Sequence, residues 1–278
     1  MSCTEIRRAR PAMGTMLQIV ACGKDEGKVG QAVDAALLAV EQVDRLMSFH
    51  GRESELTRLN REAVIQPQKV HPWTYAVLKR AGQISAASDG MFDITVAPLL
   101  VESGLLPRQY DKLPAIRRWK HLRLLDDNRV FFEKPMLIDL GGIAKGFAVD
   151  QAVHALRRGG CTQASVNAGG DLRRFGPEPE VIQLRQASGL VPVAQLRCGA
   201  MATSSCEESD PNRLEQPIGG IMDPLKGHRW LGQGSVTVAA RTCMIADALT
   251  KVAALAGPVC APVLAKYGAQ ARWNGGEQ

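Results

Sequence analysis

The residues best suited to chemistry in this sequence are Asp139-Leu140-Gly141-Gly142-Ile143-Ala144-Lys145-Gly146. Glycines lack Cβ and let a backbone come close to a ligand. Where such a turn leads into a helix, the first N–H groups point at an anion, and Lys145 adds a positive charge. The same residues would also make a plain strand-to-helix turn with a surface lysine, and residue types do not separate the two. Asn167-Ala168-Gly169-Gly170-Asp171 would present amides to a ligand or simply close a hairpin. In Asp89-Gly90-Met91-Phe92-Asp93-Ile94, Met91 and Phe92 offer a soft and a flat surface for a ring, while Asp93 reads most simply as a capping aspartate. Asp247 and Lys251 lie four apart on an expected helix and share a face. They form either a surface ion pair or, through Asp247, part of a Mg²⁺ site, because Mg²⁺ takes few carboxylates plus phosphate oxygens. Two-glycine turns, an aspartate and a lysine together suit a diphosphate ligand.

Other chemistries lack their motifs. There is no Gly-x-x-x-x-Gly-Lys-Ser/Thr loop and no Gly-x-Gly-x-x-Gly, so neither a P-loop nor a Rossmann site is supported. No Gly-x-Ser-x-Gly nucleophile elbow appears. The histidines (His50, His71, His121, His154, His228) show no metal-ligand spacing. The seven cysteines are odd in number and make no Cys-x-x-Cys pair, which argues against a disulfide framework and a zinc ribbon. Free thiols suit a reducing compartment. Ile19-Val20-Ala21-Cys22 looks like a lipoprotein cleavage box, but Pro11, Gly14 and Gln18 spoil the apolar stretch before it. The expected location is cytoplasmic.

The elements that must position these groups come next. The chain has 278 residues, 45% of them hydrophobic, enough for one large core. Charged residues at 22% fit an ordinary globular protein. No unbroken run approaches the ~18 apolar residues of a membrane helix, so no stable membrane insertion is expected. Aromatics at 5% are too few for a base-stacking platform, and no nucleic-acid partner is expected despite a net charge of +6. Arg7-Arg8-Arg10 and Arg117-Arg118-Lys120 are short clusters of the kind a solvated loop or helix face carries.

Residues 15–22 alternate as a strand, and 23–30 read as a polar turn region. Apolar residues at helical spacing predict helices over 31–47, 72–88, 147–158 and 244–256. Short strands are predicted at 130–132, 136–140, 164–166, 181–185, 191–197 and 235–240. The mixture lacks the regular βαβ alternation of a doubly wound sheet and indicates the α+β class. No internal repeat or low-complexity linker divides the chain, so 1–278 reads as a single domain.

Taken in order, the motifs resemble the ApbE family of FAD:protein FMN transferases. The resemblance rests on Pro11 to Met16, on Met47-Ser48 with Ser54-Glu55-Leu56 and Leu59-Asn60, and on SDGMFDITVAPL from Ser88 to Leu99. It continues through IDLGGIAKGFAVD from Ile138, SVNAGGDLRRFG from Ser165, IMDPLKG from Ile221 and SVTVAARTCMIADALTK from Ser235. It implies a compact two-lobed fold with an FAD cleft and transfer of FMN from FAD to a threonine or serine hydroxyl, releasing AMP. By resemblance, Met13, Met91, Phe92 and Asp93 contact FAD. Gly141, Lys145 and Phe147 line the flavin or diphosphate side, with Asn167 and Gly169 nearby. Mg²⁺ is expected on the Ala144 carbonyl, the Asp247 carboxylate and the Thr250 carbonyl. The acceptor is expected to be a separate protein, because no Asp-Gly-x-Ser/Thr-x-Ala-Thr segment is evident in this chain.

Three positions depart from the family pattern. Gly220 stands where a histidine, a candidate base, is usual; Lys251 stands where threonine or serine is usual; and Thr203 to Glu207 replaces a Thr-Ser-Gly-Asp-Tyr-like segment. The proton acceptor then falls to Asp223 or His228, and the ammonium of Lys251 could occupy the place of Mg²⁺. The alternatives are an FAD-binding carrier or sensor without transfer, and an FAD pyrophosphatase using water in place of the hydroxyl.

Overall fold

The computed structural model describes residues 3–115, 118–186, 189–205, 220–230, 232 and 234–274. Seven strands make one antiparallel sheet: β1 (Thr4–Ala12), β2 (Thr15–Gly23), β3 (Gln163–Ala168), β4 (Asp171–Phe175), β5 (Gly199–Ser205), β6 (Ser235–Ala240) and β7 (Gln270–Asn274). Their order across the sheet is their order along the chain. Between β2 and β3 lie α1 (Glu26–Met47), α2 (Glu55–Glu62), α3 (Pro72–Ala87), α4 (Ala97–Glu102) and α5 (Ala144–Arg158). The same stretch holds a small sheet of Gln68–Lys69, Leu122–Leu125 and Arg129–Phe132. A ribbon of Glu180–Gln186 and Gly189–Leu196 separates β4 from β5, and α6 (Cys243–Ala256) and α7 (Ala261–Lys266) separate β6 from β7. The chain is therefore α+β, as its pattern indicates.

Helices α1, α5 and α6 pack side by side against the sheet. Val33, Ala36 and Val40 of α1, Val149 and Val153 of α5, and Leu249 and Val252 of α6 are buried with Ile19, Val166 and Val238 of the strands. Each fully buried aliphatic side chain contributes roughly 1.5–3 kcal/mol, and this layer positions everything that follows. Gly146 permits a close approach of α5 to α6: a Cβ there would lie 2.3 Å from the Cys243 carbonyl oxygen and 2.8 Å from Asp247 Cβ.

Several expected boundaries move. Helix α1 starts at Glu26, not 31, because Asp25 caps it by accepting from Lys28 N at 3.0 Å. Helix α5 starts at Ala144, not 147. Residues 136–140 are buried but join no ladder; Ile138 instead exchanges both backbone bonds with the Asn60 side chain, at 2.8 and 2.9 Å. Arg7, Arg8 and Arg10 lie on the edge strand β1 rather than on a loop or helix. Cys22 ends β2 and is buried. Among the described residues Cys243–Lys266 is apolar and long enough by composition to cross a membrane, with mean hydropathy 1.6. It is in fact two helices. Helix α6 ends at Gly257, whose φ is +60°, and Asp247 and Thr250 are buried within it.

Candidate functional site

Three turns meet at one end of the sheet. Met13-Gly14 is the two-residue turn joining β1 to β2, with φ of +50° and +72°. Positive φ at both positions is the hairpin turn that matches strand twist, and at Met13 it is held by a side-chain-bearing residue at a steric cost. Gly169-Gly170 joins β3 to β4 in the same way, with φ of +62° and +96°. Only glycine fits at 169, because a Cβ would lie 2.3 Å from Thr15 Oγ1 on the neighbouring turn. Asn167 Oδ1 accepts from Gly170 N at 2.9 Å and locks this turn. The third turn is Asp139–Ile143, where Asp139 Oδ2 accepts from Gly141 N at 3.0 Å before α5 begins.

Between them lies a cavity of about 470 Å³. Of the residues named from sequence, Met13, Met91, Phe92, Asp93, Gly141, Lys145 and Gly169 line it. Asp139, Gly142, Thr203, Ser204, Ser205, Gly220 and Lys251 line it as well. Asp93 also caps the turn at Ile94, accepting from Thr95 N at 2.8 Å. Phe147 turns away from the cavity and packs edge-on against Trp73, with ring centroids 5.9 Å apart. Asn167 spends its oxygen on the glycine turn rather than on the cavity. Asp223 holds a hairpin, accepting from Leu225 N and Lys226 N at 2.9 Å, and the exposed His228 faces it across that hairpin. Neither is among the described lining residues. A second cavity of about 600 Å³ shares Asp93 and Pro224 with the first and is lined by Arg118, Trp119, Lys120 and Lys134.

The floor of the main cavity is an alternation of charge. Lys145 Nζ meets Asp171 Oδ2 at 2.6 Å, and Lys251 Nζ bonds Asp247 Oδ1 and, at 3.0 Å, the Asp247 carbonyl. Asp247 Oδ2 accepts from Gly146 N at 3.0 Å. Burial works to raise the Asp247 pKa, but the charges of Lys251 and Lys145 and the bonds from Lys251 and Gly146 outweigh it and hold the group below its ordinary value. Burial, with the Asp247 charge behind it, pushes Asp171 up to about 6 against the pull of Lys145. Burial also works to lower the Lys145 pKa, yet Asp247 and Asp171 outweigh it and raise the ammonium above its usual range. Asp139 is raised by burial, against the Gly141 N–H and the charges of His50 and Lys251.

This arrangement does not fit Mg²⁺ as it stands. The ion needs close oxygen ligands in an octahedron. Both carboxylate oxygens of Asp247 are already engaged, one by an ammonium. Neither Ala144 nor Thr250, whose carbonyls are the other expected ligands, is among the described residues lining the cavity, and the Thr250 hydroxyl is spent on the Asp247 carbonyl at 2.7 Å and Ser204 Oγ at 2.8 Å. Among the described residues no three His, Cys, Asp or Glu side chains gather to hold a metal. At Gly220, a Cβ would lie 2.6 Å from Leu105 Cδ1, so a side chain there would need Leu105 to move. Cys206 and Glu207, the end of the departing segment, lie outside the described residues.

A family model, that of the ApbE family, matches residues 13–273. The chain belongs to the ApbE family. An ApbE relative from Vibrio cholerae named FAD:protein FMN transferase is 30% identical, covering 88% of this chain and 79% of the relative. One of the same name from Escherichia coli K12 is 25% identical over 88% of this chain and 77% of its own. Solved ApbE structures agree in fold. A histidine-to-glycine form of the flavin transferase ApbE from Vibrio cholerae superposes with a TM-score of 0.81 at 26% identity, covering 96% of this chain and 92% of that one. The ApbE protein from Thermotoga maritima gives 0.79 at 27%, covering 96% and 93%.

Proposed function

We propose that this chain is an FAD:protein FMN transferase, passing FMN from FAD to a threonine or serine hydroxyl of a separate acceptor protein. The observation that carries the reading is the convergence of both glycine turns with the Lys145 and Lys251 ammonium groups on one cavity. Met13, Met91 and Phe92 offer the isoalloxazine a sulfur-rich, flat apolar surface. The two ammonium groups direct N–H donors at the diphosphate, and the turn amides not spent on Asp139 and Asn167 add fixed donors.

The acceptor oxygen attacks the phosphorus on the FMN side. A P–O bond forms there, the bond to the AMP phosphate breaks, and AMP leaves with the electron pair. Phosphoryl transfer of this kind asks the protein mainly for position and charge. The hydroxyl proton needs an acceptor. In this geometry the role passes from Asp223 and His228, which do not line the cavity, to Asp139, which does and whose proton affinity burial raises. The bare rim at Gly220 favours a second reading, in which water replaces the hydroxyl and the chain acts as an FAD pyrophosphatase.

The test mixes purified protein with FAD and an acceptor bearing an Asp-Gly-x-Thr-x-Ala-Thr segment. Flavin fluorescence is read in a denaturing gel and small molecules are read by chromatography. A fluorescent acceptor with stoichiometric AMP is expected. Free FMN with AMP would identify the pyrophosphatase, and unchanged FAD would identify a carrier or sensor and refute transfer.

A further inference from the structure

We propose that Lys251 is the resident cation of the diphosphate subsite, occupying the place of a divalent metal, so that this chain holds FAD without metal. The proposal rests on the FAD reading above and goes beyond it.

Asp247 is fully buried. A buried carboxylate needs a partner, and an unneutralised one costs several kcal/mol. Lys251 supplies that partner from within the same helix, one turn on. Its side chain retains 20% exposure and lines the cavity, so the charge that satisfies Asp247 also faces the ligand space. An ammonium has three donors. Among the described residues two of these go to Asp247, to Oδ1 and to the carbonyl oxygen, and the third is left for a ligand oxygen. The lysine stem runs beside the glycine turn: a Cβ at Gly142 would meet Lys251 Cε at 3.4 Å, an ordinary van der Waals contact.

Lys145 repeats the device on the other side, anchored at 2.6 Å to Asp171, with its side chain 32% exposed. Each ammonium is balanced by its own buried carboxylate, so what the two pairs offer the phosphate oxygens of FAD is directed, charge-assisted N–H donors rather than net positive charge. A Mg²⁺ ion at Asp247 would have to displace one ammonium and then sit beside the other, against like-charge repulsion. Asp93 and Asp139 are the other described carboxylates lining this cavity; Asp93 accepts from Thr95 N at 2.8 Å and Trp119 N at 3.3 Å, and Asp139 Oδ2 accepts from Gly141 N at 3.0 Å.

The experiment titrates the full chain with FAD, following flavin fluorescence, in EDTA and again in excess Mg²⁺. Electron paramagnetic resonance of added Mn²⁺ is the second readout. Wild type is expected to bind FAD with a Kd that agrees within about twofold in the two buffers, and to hold no Mn²⁺. Lys251→Thr is expected to weaken FAD in EDTA by about tenfold or more, the cost of one charge-assisted contact. Lys251→Arg keeps the charge and is expected to stay independent of metal. FAD binding by wild type only when Mg²⁺ is present, or a bound Mn²⁺ signal, overturns the assignment and leaves the FAD reading intact. Absence of FAD binding in both buffers overturns the FAD reading itself. The wild-type comparison decides without any variant having to fold.

Discussion

Each lysine facing the cavity is tied to a buried carboxylate, and the strength of that tie decides what the lysine offers a ligand. Lys145 is shared between Asp171 and the space above it. Lys145→Met is expected to raise the Kd for FAD about tenfold or more, read by fluorescence titration. Lys145 was legible in the sequence because it lies three residues after the Gly141-Gly142 pair, just before the expected helix, so local chemistry and position coincide. Lys251 was legible only as a departure from the family pattern, and its pairing with Asp247 as an i,i+4 contact. That Asp247 is wholly buried, which turns a surface pair into a cavity floor, depends on α5 and α6 meeting at Gly146. Phe147 reads as a ring-binding residue by adjacency to Lys145, yet its helical position sends it to Trp73. Asp139 opens the first glycine turn and Ser204 lies in the segment that departs from the family pattern, but neither carried a site role in the sequence, because only the fold brings these distant segments to one cavity.

Elements carry the site through two unusual junctions. The first is the N-terminus of α6, which is capped from another helix. Asp150 of α5 accepts from Cys243 N at 2.8 Å and Met244 N at 3.0 Å, and it pairs with Arg173 at 2.7 Å. Asp150→Ala leaves a buried guanidinium and an uncapped helix together, and is expected to cost about 3 kcal/mol or more in urea unfolding. The second is the Met13-Gly14 turn. Met13→Gly relieves a left-handed backbone and is expected to stabilise the fold by about 0.5–1 kcal/mol while weakening flavin binding. Thermal melts and FAD titration would show the two effects moving in opposite directions. Long amphipathic helices were readable because one face repeats over many turns. Strand β1 was not, because an edge strand needs few apolar residues and tolerates Arg7, Arg8 and Arg10. Residues 136–140 have a strand's composition, but Ile138 bonds the Asn60 side chain and Asp139 N bonds the Ile94 carbonyl, long-range contacts invisible to periodicity.

For the molecule as a whole, the buried charges predict how stability varies with pH. Asp171 titrates near 6 in the fold against 3.8 for an ordinary aspartate. The folded state therefore binds more protons between those values, and this group's stabilising contribution is present at low pH and lost as pH rises through about 6. Asp93, Asp139 and Asp150 are raised too and act in the same sense, while Asp247 is lowered and acts in the opposite one. Asp171→Asn does not titrate. Relative to wild type it is expected to gain about 2 kcal/mol between pH 4 and pH 6.5 in urea unfolding series. The sheet, its helices and the cavity exist to bring the Asp139 and Gly169 turns to α6, and that convergence is what the functional reading requires. A crystal structure of the chain grown with FAD tests it most directly. The account predicts the diphosphate in the main cavity, with phosphate oxygens within hydrogen-bond distance of Lys145 Nζ and Lys251 Nζ. FAD seated elsewhere, with those two ammonium groups facing only solvent, would contradict it.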